Sequence, residues 1–298
     1  MNSDLFCLIN ALPEDVKYNC RIKYRELSDG SLEPLEVMSC NRFIFNPDGA
    51  QLSEIARAAA RREEYEFAAR EVFLGEFPRE TNHIKAHTSE EEKAARSKRR
   101  AKGKMLDLIY ANDFDCFVTL TLDADKIDRH DYGAVIKKLN AWLDNRVRRC
   151  GLRYVGVPER HKDGAIHFHF LCNRDALRLV DSGTVKCDGR KKPIKAATAD
   201  RYKIPLEQRH TVYNIPDWTL GFTTAVDVYG ALGAVANYVG KYITKGSEMV
   251  GGRWYYSGGD LKHLVVKYER VSFNDVENFA YSFDCDGGSF KVWRNGAV

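Results

Sequence analysis

Residues 164–172 read GAIHFHFLC, two histidines one residue apart inside an apolar run. In a strand, side chains at i and i+2 project to one face. His167 and His169 therefore point together, while Ile166, Phe168 and Phe170 go to the other side. A chain with this run must build a sheet with one apolar face, and must give the imidazoles on its opposite face something to do. They are either polar residues on a solvated strand face or two ligands of one metal ion.

The neighbouring text supplies a partner strand. LRYVGVPE (152–159) reads as a strand, AIHFHFLC (165–172) as the next, and RHKDG between them carries Asp163-Gly164 as a turn signal. A turn centred on Asp163 sets Glu159 opposite His167, and directly opposed residues share a face. One carboxylate and two imidazoles leave positions open for water and substrate, and mixed nitrogen and oxygen ligation suits Mn²⁺ and tolerates Mg²⁺ or Zn²⁺. His161 and Asp163, in the turn, are weaker ligand candidates. A register slip of one residue would turn Glu159 away.

Around this hairpin the pattern alternates. FDCFVTLTL (114–122) is β-branched and aromatic, as in a strand. Val135, Leu139, Trp142, Leu143 and Val147 stand at helical spacing in 131–150. TLGFTTAVDVY (219–229) and HLVVKY (263–268) read as strands, and 230–246 as a helix closed by Gly246. The order predicts an α+β domain with a mostly antiparallel sheet and helices on one face. Residues 1–50 give no clean period. Residues 51–73 are rich in helix formers, and a further helix starts near Ser89, with Gly103 weakening its continuity.

The chain has 298 residues, 44% hydrophobic and 30% charged, with a net charge of only +4. It is not a polycation, but its cations cluster. Seven Lys or Arg fall between Lys93 and Lys104, and seven more between Lys186 and Lys203. Each run reads either as a solvated surface or as a phosphate-contacting segment. Lys98, Arg99 and Arg100 in the first, and Arg190, Lys191 and Lys192 in the second, are the candidate DNA contacts. The second lies in 173–216, which shows no clear element and reads as a basic surface insertion. RWYYSGGDL (253–261) offers three adjacent aromatics, either for the core or for stacking on unpaired bases. Eight cysteines are scattered without C-x-x-C spacing, the opening residues lack a basic n-region, and no run approaches a membrane span. A reduced, cytoplasmic protein is expected.

NYVGKYITKG (237–246) places Tyr238 and Tyr242 one helical turn apart, each followed three residues later by Lys241 or Lys245. An amphipathic helix with aromatic core contacts explains this. So does chemistry: a tyrosine hydroxyl has a pKa near 10, and a nearby ammonium or metal favours the phenolate as a nucleophile toward phosphate.

FVTLT (117–121), HFHF (167–170) and YVGKYITK (238–245), in that order, resemble motifs I, II and III of the HUH rolling-circle replication initiators. The paired tyrosines resemble the two-tyrosine branch found in microviruses and related phages and plasmids. The resemblance covers about residues 114–270. It implies a five-stranded antiparallel sheet with the histidines on a central strand and the tyrosine helix across it, preceded by a mainly helical N-terminal region. The domain division then expected is 1–104, 105–270 and 271–298. The resemblance implies a single-strand endonuclease that forms a 5′-phosphotyrosine and frees a 3′-OH, and can rejoin ends. His167, His169 and Glu159 match its metal ligands for Mg²⁺ or Mn²⁺, and Tyr238 and Tyr242 its nucleophiles, with Lys241 and Lys245 beside them. The partners implied are a single-stranded origin and, since no Walker A pattern is present, a host helicase and polymerase in a bacterial cytoplasm. A mobilisation relaxase of the same fold, or a non-catalytic single-strand-binding or repressor protein, are the alternatives.

Overall fold

The structure is a computed structural model describing residues 19–40, 90–161, 163–190, 192–229, 249–269, 281–285 and 288–294. The first elements in chain order are β1 (Cys20–Glu26), β2 (Leu32–Cys40), α1 (Glu90–Ala111), β3 (Cys116–Leu120) and α2 (Tyr132–Cys150). They are followed by β4 (Tyr154–Arg160), β5 (Ile166–Cys172), β6 (Val180–Cys187), β7 (Ile194–Lys195) and α3 (Ala196–Arg201). The last are β8 (Arg209–Asn214), β9 (Thr223–Asp227), β10 (Tyr256–Gly258), β11 (Val265–Glu269), β12 (Tyr281–Cys285) and β13 (Gly288–Arg294). The chain divides into two compact units, residues 90–263 and the remainder.

In the smaller unit the strands run β11-β1-β2-β13-β12, all antiparallel. Residues 1–50 are therefore not patternless, as their sequence suggests. Cys20, Ile22 and Tyr24 alternate with Arg21, Lys23 and Arg25, a period-two pattern, and Asp29 accepts from the Ser31 backbone N–H in the turn. A bulge at Lys23/Tyr24, opposite Pro34, interrupts the register and obscures the pattern in sequence. The described part of the N-terminal region is strand up to Cys40, where a mainly helical region was expected. The helix expected at 51–73 lies outside the described residues.

The larger unit is mixed α and β around an open antiparallel sheet of eight strands, β10-β4-β5-β3-β9-β8-β6-β7, where five were expected. The excess comes from residues 173–216. Read as an insertion without clear elements, they supply β6, β7, β8 and α3, and the three strands join the same sheet.

The helices lie on both faces, not one. α2 is capped by Asp131, whose side chain accepts from Ala134 N, and ends at Gly151 in the left-handed region (φ 66°). It buries Val135, Leu139 and Leu143 against Val118, Leu120, Ile166, Phe168 and Phe170. α1 runs unbroken through Gly103 and packs Met105, Leu108 and Ile109 on Val155, Val157 and Leu171 of the opposite face. Its apolar residues are confined to its C-terminal turns, so it covers only one end of that face. Among the described residues no helix is long and apolar enough to cross a membrane. Six described cysteines are free thiols.

Candidate functional site

β4 and β5 form the expected hairpin in the expected register, with Glu159 directly opposite His167 and Val157 opposite His169. The turn follows its residues: Asp163 accepts from the Ala165 backbone N–H (3.1 Å), and Gly164 takes φ 88°, which a side chain would resist. On the other side of β5, Thr119 of β3 is opposite His169. Leu171, Val155 and Val157 of this face lie in the core under α1. Beyond α1 the same face turns polar, with Thr119, Glu159, His167 and His169.

His169 is buried and held on three sides. Its Nε2 lies 2.8 Å from Glu159 Oε2, its Nδ1 lies 3.1 Å from Thr119 Oγ1, and Phe117 stacks on the ring at 5.9 Å. A carboxylate only accepts, so Nε2 carries the proton and donates to Glu159, and a neutral ring leaves Nδ1 to accept from the Thr119 hydroxyl. His167 is half-buried and stacks on His161, with ring centroids 4.0 Å apart. Burial, then the neighbouring His161 and His169, push its pKa down to about 4, against the opposing pull of Glu159 and Asp163. His167 is thus a neutral imidazole at neutral pH, the form that ligates metals.

The donor chemistry fits a divalent ion: two neutral imidazoles and a carboxylate on one polar strand face. In this conformation the donors are not gathered around one point, because His169 takes Glu159 while His167 stacks on His161. Among the described residues no group of three or more His, Cys, Asp or Glu side chains is disposed to hold a metal.

Thr119 escaped the sequence reading as a residue with a role of its own. Its signal was a hydroxyl in an apolar strand, but its partner is 50 residues away. Tyr238, Lys241, Tyr242 and Lys245 lie outside the described residues, as does Lys191. Arg99 and Arg100 are exposed on α1, with Lys98 half-buried between the turns. Arg190 and Lys192 follow β6, where Arg190 lies over the Tyr202 ring at 5.1 Å and accepts a hydrogen bond at its carbonyl from Lys186. α1 packs on β4 and β5 while β6 and β7 form the far end of the sheet, so the two basic segments stand at opposite ends.

No curated protein and no solved structure matches the chain. Residues 115–247, from the start of β3 through the segment with both tyrosines, match a family model described as replication-associated protein ORF2, which is consistent with a rolling-circle replication initiator.

Proposed function

We propose that the protein initiates replication by nicking a single-stranded DNA origin with a tyrosine nucleophile and later rejoins the ends. The observation that carries the reading is the polar end of the β4–β5 face, where Glu159, His167 and His169 stand together inside a segment matching a replication family. Two Tyr-x-x-Lys repeats follow in the same segment.

Glu159, His167 and His169 would hold Mg²⁺ or Mn²⁺, which when bound supplies polarisation of the scissile phosphate. The residues of the chain do the rest. The phenolate oxygen of Tyr238 or Tyr242 attacks phosphorus, and a P–O bond forms as the P–O3′ bond breaks. The electron pair leaves on the 3′ oxygen, which takes up a proton to become the 3′-OH, while the phosphate stays on tyrosine as a 5′-phosphodiester. Lys241 and Lys245 carry positive charge toward the phenolate and the phosphate oxygens. Thr119 and Phe117 fix the His169 ring. The 3′-OH then primes a host polymerase behind a host helicase. A second tyrosine allows a second cut when the origin is regenerated, and reversal of the same step joins ends.

The test is a denaturing gel with single-stranded DNA from the protein's own replicon and Mn²⁺ or Mg²⁺. A covalent protein–DNA band is expected, lost with EDTA and lost in Tyr238→Phe plus Tyr242→Phe while DNA binding is kept. Cleavage retained by the double variant would remove the tyrosines from the chemistry.

A further inference from the structure

The N-terminal half of α1 buries almost nothing, yet it is not a uniform solvated face. Lys93, Arg96, Arg100 and Lys104 fall on one stripe and, with Ser97, Ala101 and Tyr255, line a groove of about 530 Å³. Lys93 is bound to Glu90 (2.6 Å), whereas Arg96, Arg100 and Lys104 have no acidic partner among the described residues. No acidic residue occurs between Lys93 and Lys104, so this length of helix carries seven cations and supplies no carboxylate to neutralise them. The strand lead-in to β10 brings aromatics to the same place. Trp254 donates from Nε1 to Ser97 Oγ (3.1 Å), and the Lys98 ammonium lies 5.5 Å from its ring centroid. Tyr255 packs its ring beside the apolar end of α1 and faces the groove.

A row of cations tracks a polyanion, and adjacent half-exposed aromatic rings take up flat apolar faces. Only one common polyanion presents both along its length, a nucleic acid strand whose bases are unpaired. A duplex hides its base faces. At 1.5 Å per residue the stripe from Lys93 to Lys104 runs about 16 Å, room for a short stretch of such a strand.

We infer that the groove between α1 and Trp254–Tyr255 is a binding track for single-stranded nucleic acid, separate from the Glu159–His167–His169 site. It lies outside the segment that matches the replication family, and it deepens the nicking reading without depending on it.

The test uses full-length protein and a fluorescein-labelled thymidine 30-mer, followed by anisotropy over a salt series. Arg96→Ala, Arg100→Ala and Lys104→Ala combined should weaken binding about tenfold or more and lower the salt slope by about 2, at roughly 0.7 per phosphate contact on a single strand. Trp254→Leu should weaken binding with the slope kept. Circular dichroism checks that both variants fold. A labelled duplex should bind less tightly than the single strand, and polyglutamate should displace the strand poorly. Unchanged affinity in both variants overturns the track, as does equal displacement by polyglutamate, which would make the stripe a plain ion exchanger. Covalent product is scored in the same samples at saturating DNA. No covalent band with the charge dependence intact removes the nicking reading and keeps the groove. A covalent band with variants that bind like wild type does the reverse.

Discussion

Glu159 directly opposes His167 across the β4–β5 hairpin, yet its carboxylate is hydrogen-bonded diagonally to His169, at 2.8 Å. The carboxylate therefore stands between the two imidazoles in position while engaging one of them in contact. Glu159→Gln keeps a group that can accept from Nε2 and removes the charge that a divalent ion requires. Mn²⁺ affinity, read by calorimetric titration, is expected to fall about tenfold or more, with the melting temperature of the metal-free protein little changed. Wild-type affinity in the variant would remove Glu159 from the ligand set.

Thr119 is a positioning residue, acting through His169. Thr119→Val has nearly the same shape and loses only the hydroxyl that reaches Nδ1 at 3.1 Å. Loss of a second partner of this kind typically lowers metal affinity about 10- to 100-fold. The expected result is weaker Mn²⁺ binding in Thr119→Val and recovery in Thr119→Ser, which restores the hydroxyl. A purely structural role would instead show as a lowered melting temperature that Ser does not repair.

The parts of this fold that were legible in sequence are those encoded locally. Asp163-Gly164 fixes the turn, and the turn fixes the register that sets Glu159 on His167. Val135, Leu139 and Leu143 fix the buried stripe of α2. What was not legible depends on distant chain. β6 and β8 are short and polar on one side, with a bulge between Asp181 and Thr184, and they become strands because they pair with each other and with β9. α1 reads as a charged helix because its apolar contacts are limited to its last turns, so its place on the second sheet face had no strong periodic signal. The Thr119–His169 contact joins two strands that only the sheet makes neighbours. Trp254 and Tyr255 have the composition of core or of a stacking platform, and only their position beside α1 selects between these.

Gly156 sits in β4 where no side chain fits. A Cβ there would lie 2.0 Å from Phe170 Cδ1 and 2.6 Å from the His169 carbonyl oxygen. The phenyl ring can rotate only into a filled core, and the carbonyl belongs to the ladder that positions His169. Gly156→Ala is expected to cost about 1–3 kcal/mol, the usual scale for overpacking a core. Urea denaturation should show the lost stability, and Mn²⁺ affinity should fall with it because the strand carrying His169 must shift. A neutral substitution would mean that β4 and β5 separate freely at this point.

His167 makes stability depend on pH in a defined direction. In the fold its pKa is pushed down to about 4 by burial, then by His161 and His169, with Glu159 and Asp163 opposing. In the unfolded chain an imidazole titrates near 6.5. Between these values the unfolded state binds a proton that the folded state does not, so stability rises with pH across this window. Above about pH 6.5 both states are neutral and the contribution is flat; as pH falls from there toward 4 the fold loses stability. The measurement is the urea midpoint in EDTA, wild type against His167→Gln, from about pH 7.5 to 4, a range that brackets both values. Glutamine does not titrate, so wild type should lose ground relative to the variant as the pH drops, and the gap should change little above about pH 7. A gap independent of pH would show that His167 takes up its proton as readily in the fold as in the unfolded chain, contrary to its burial beside two other imidazoles.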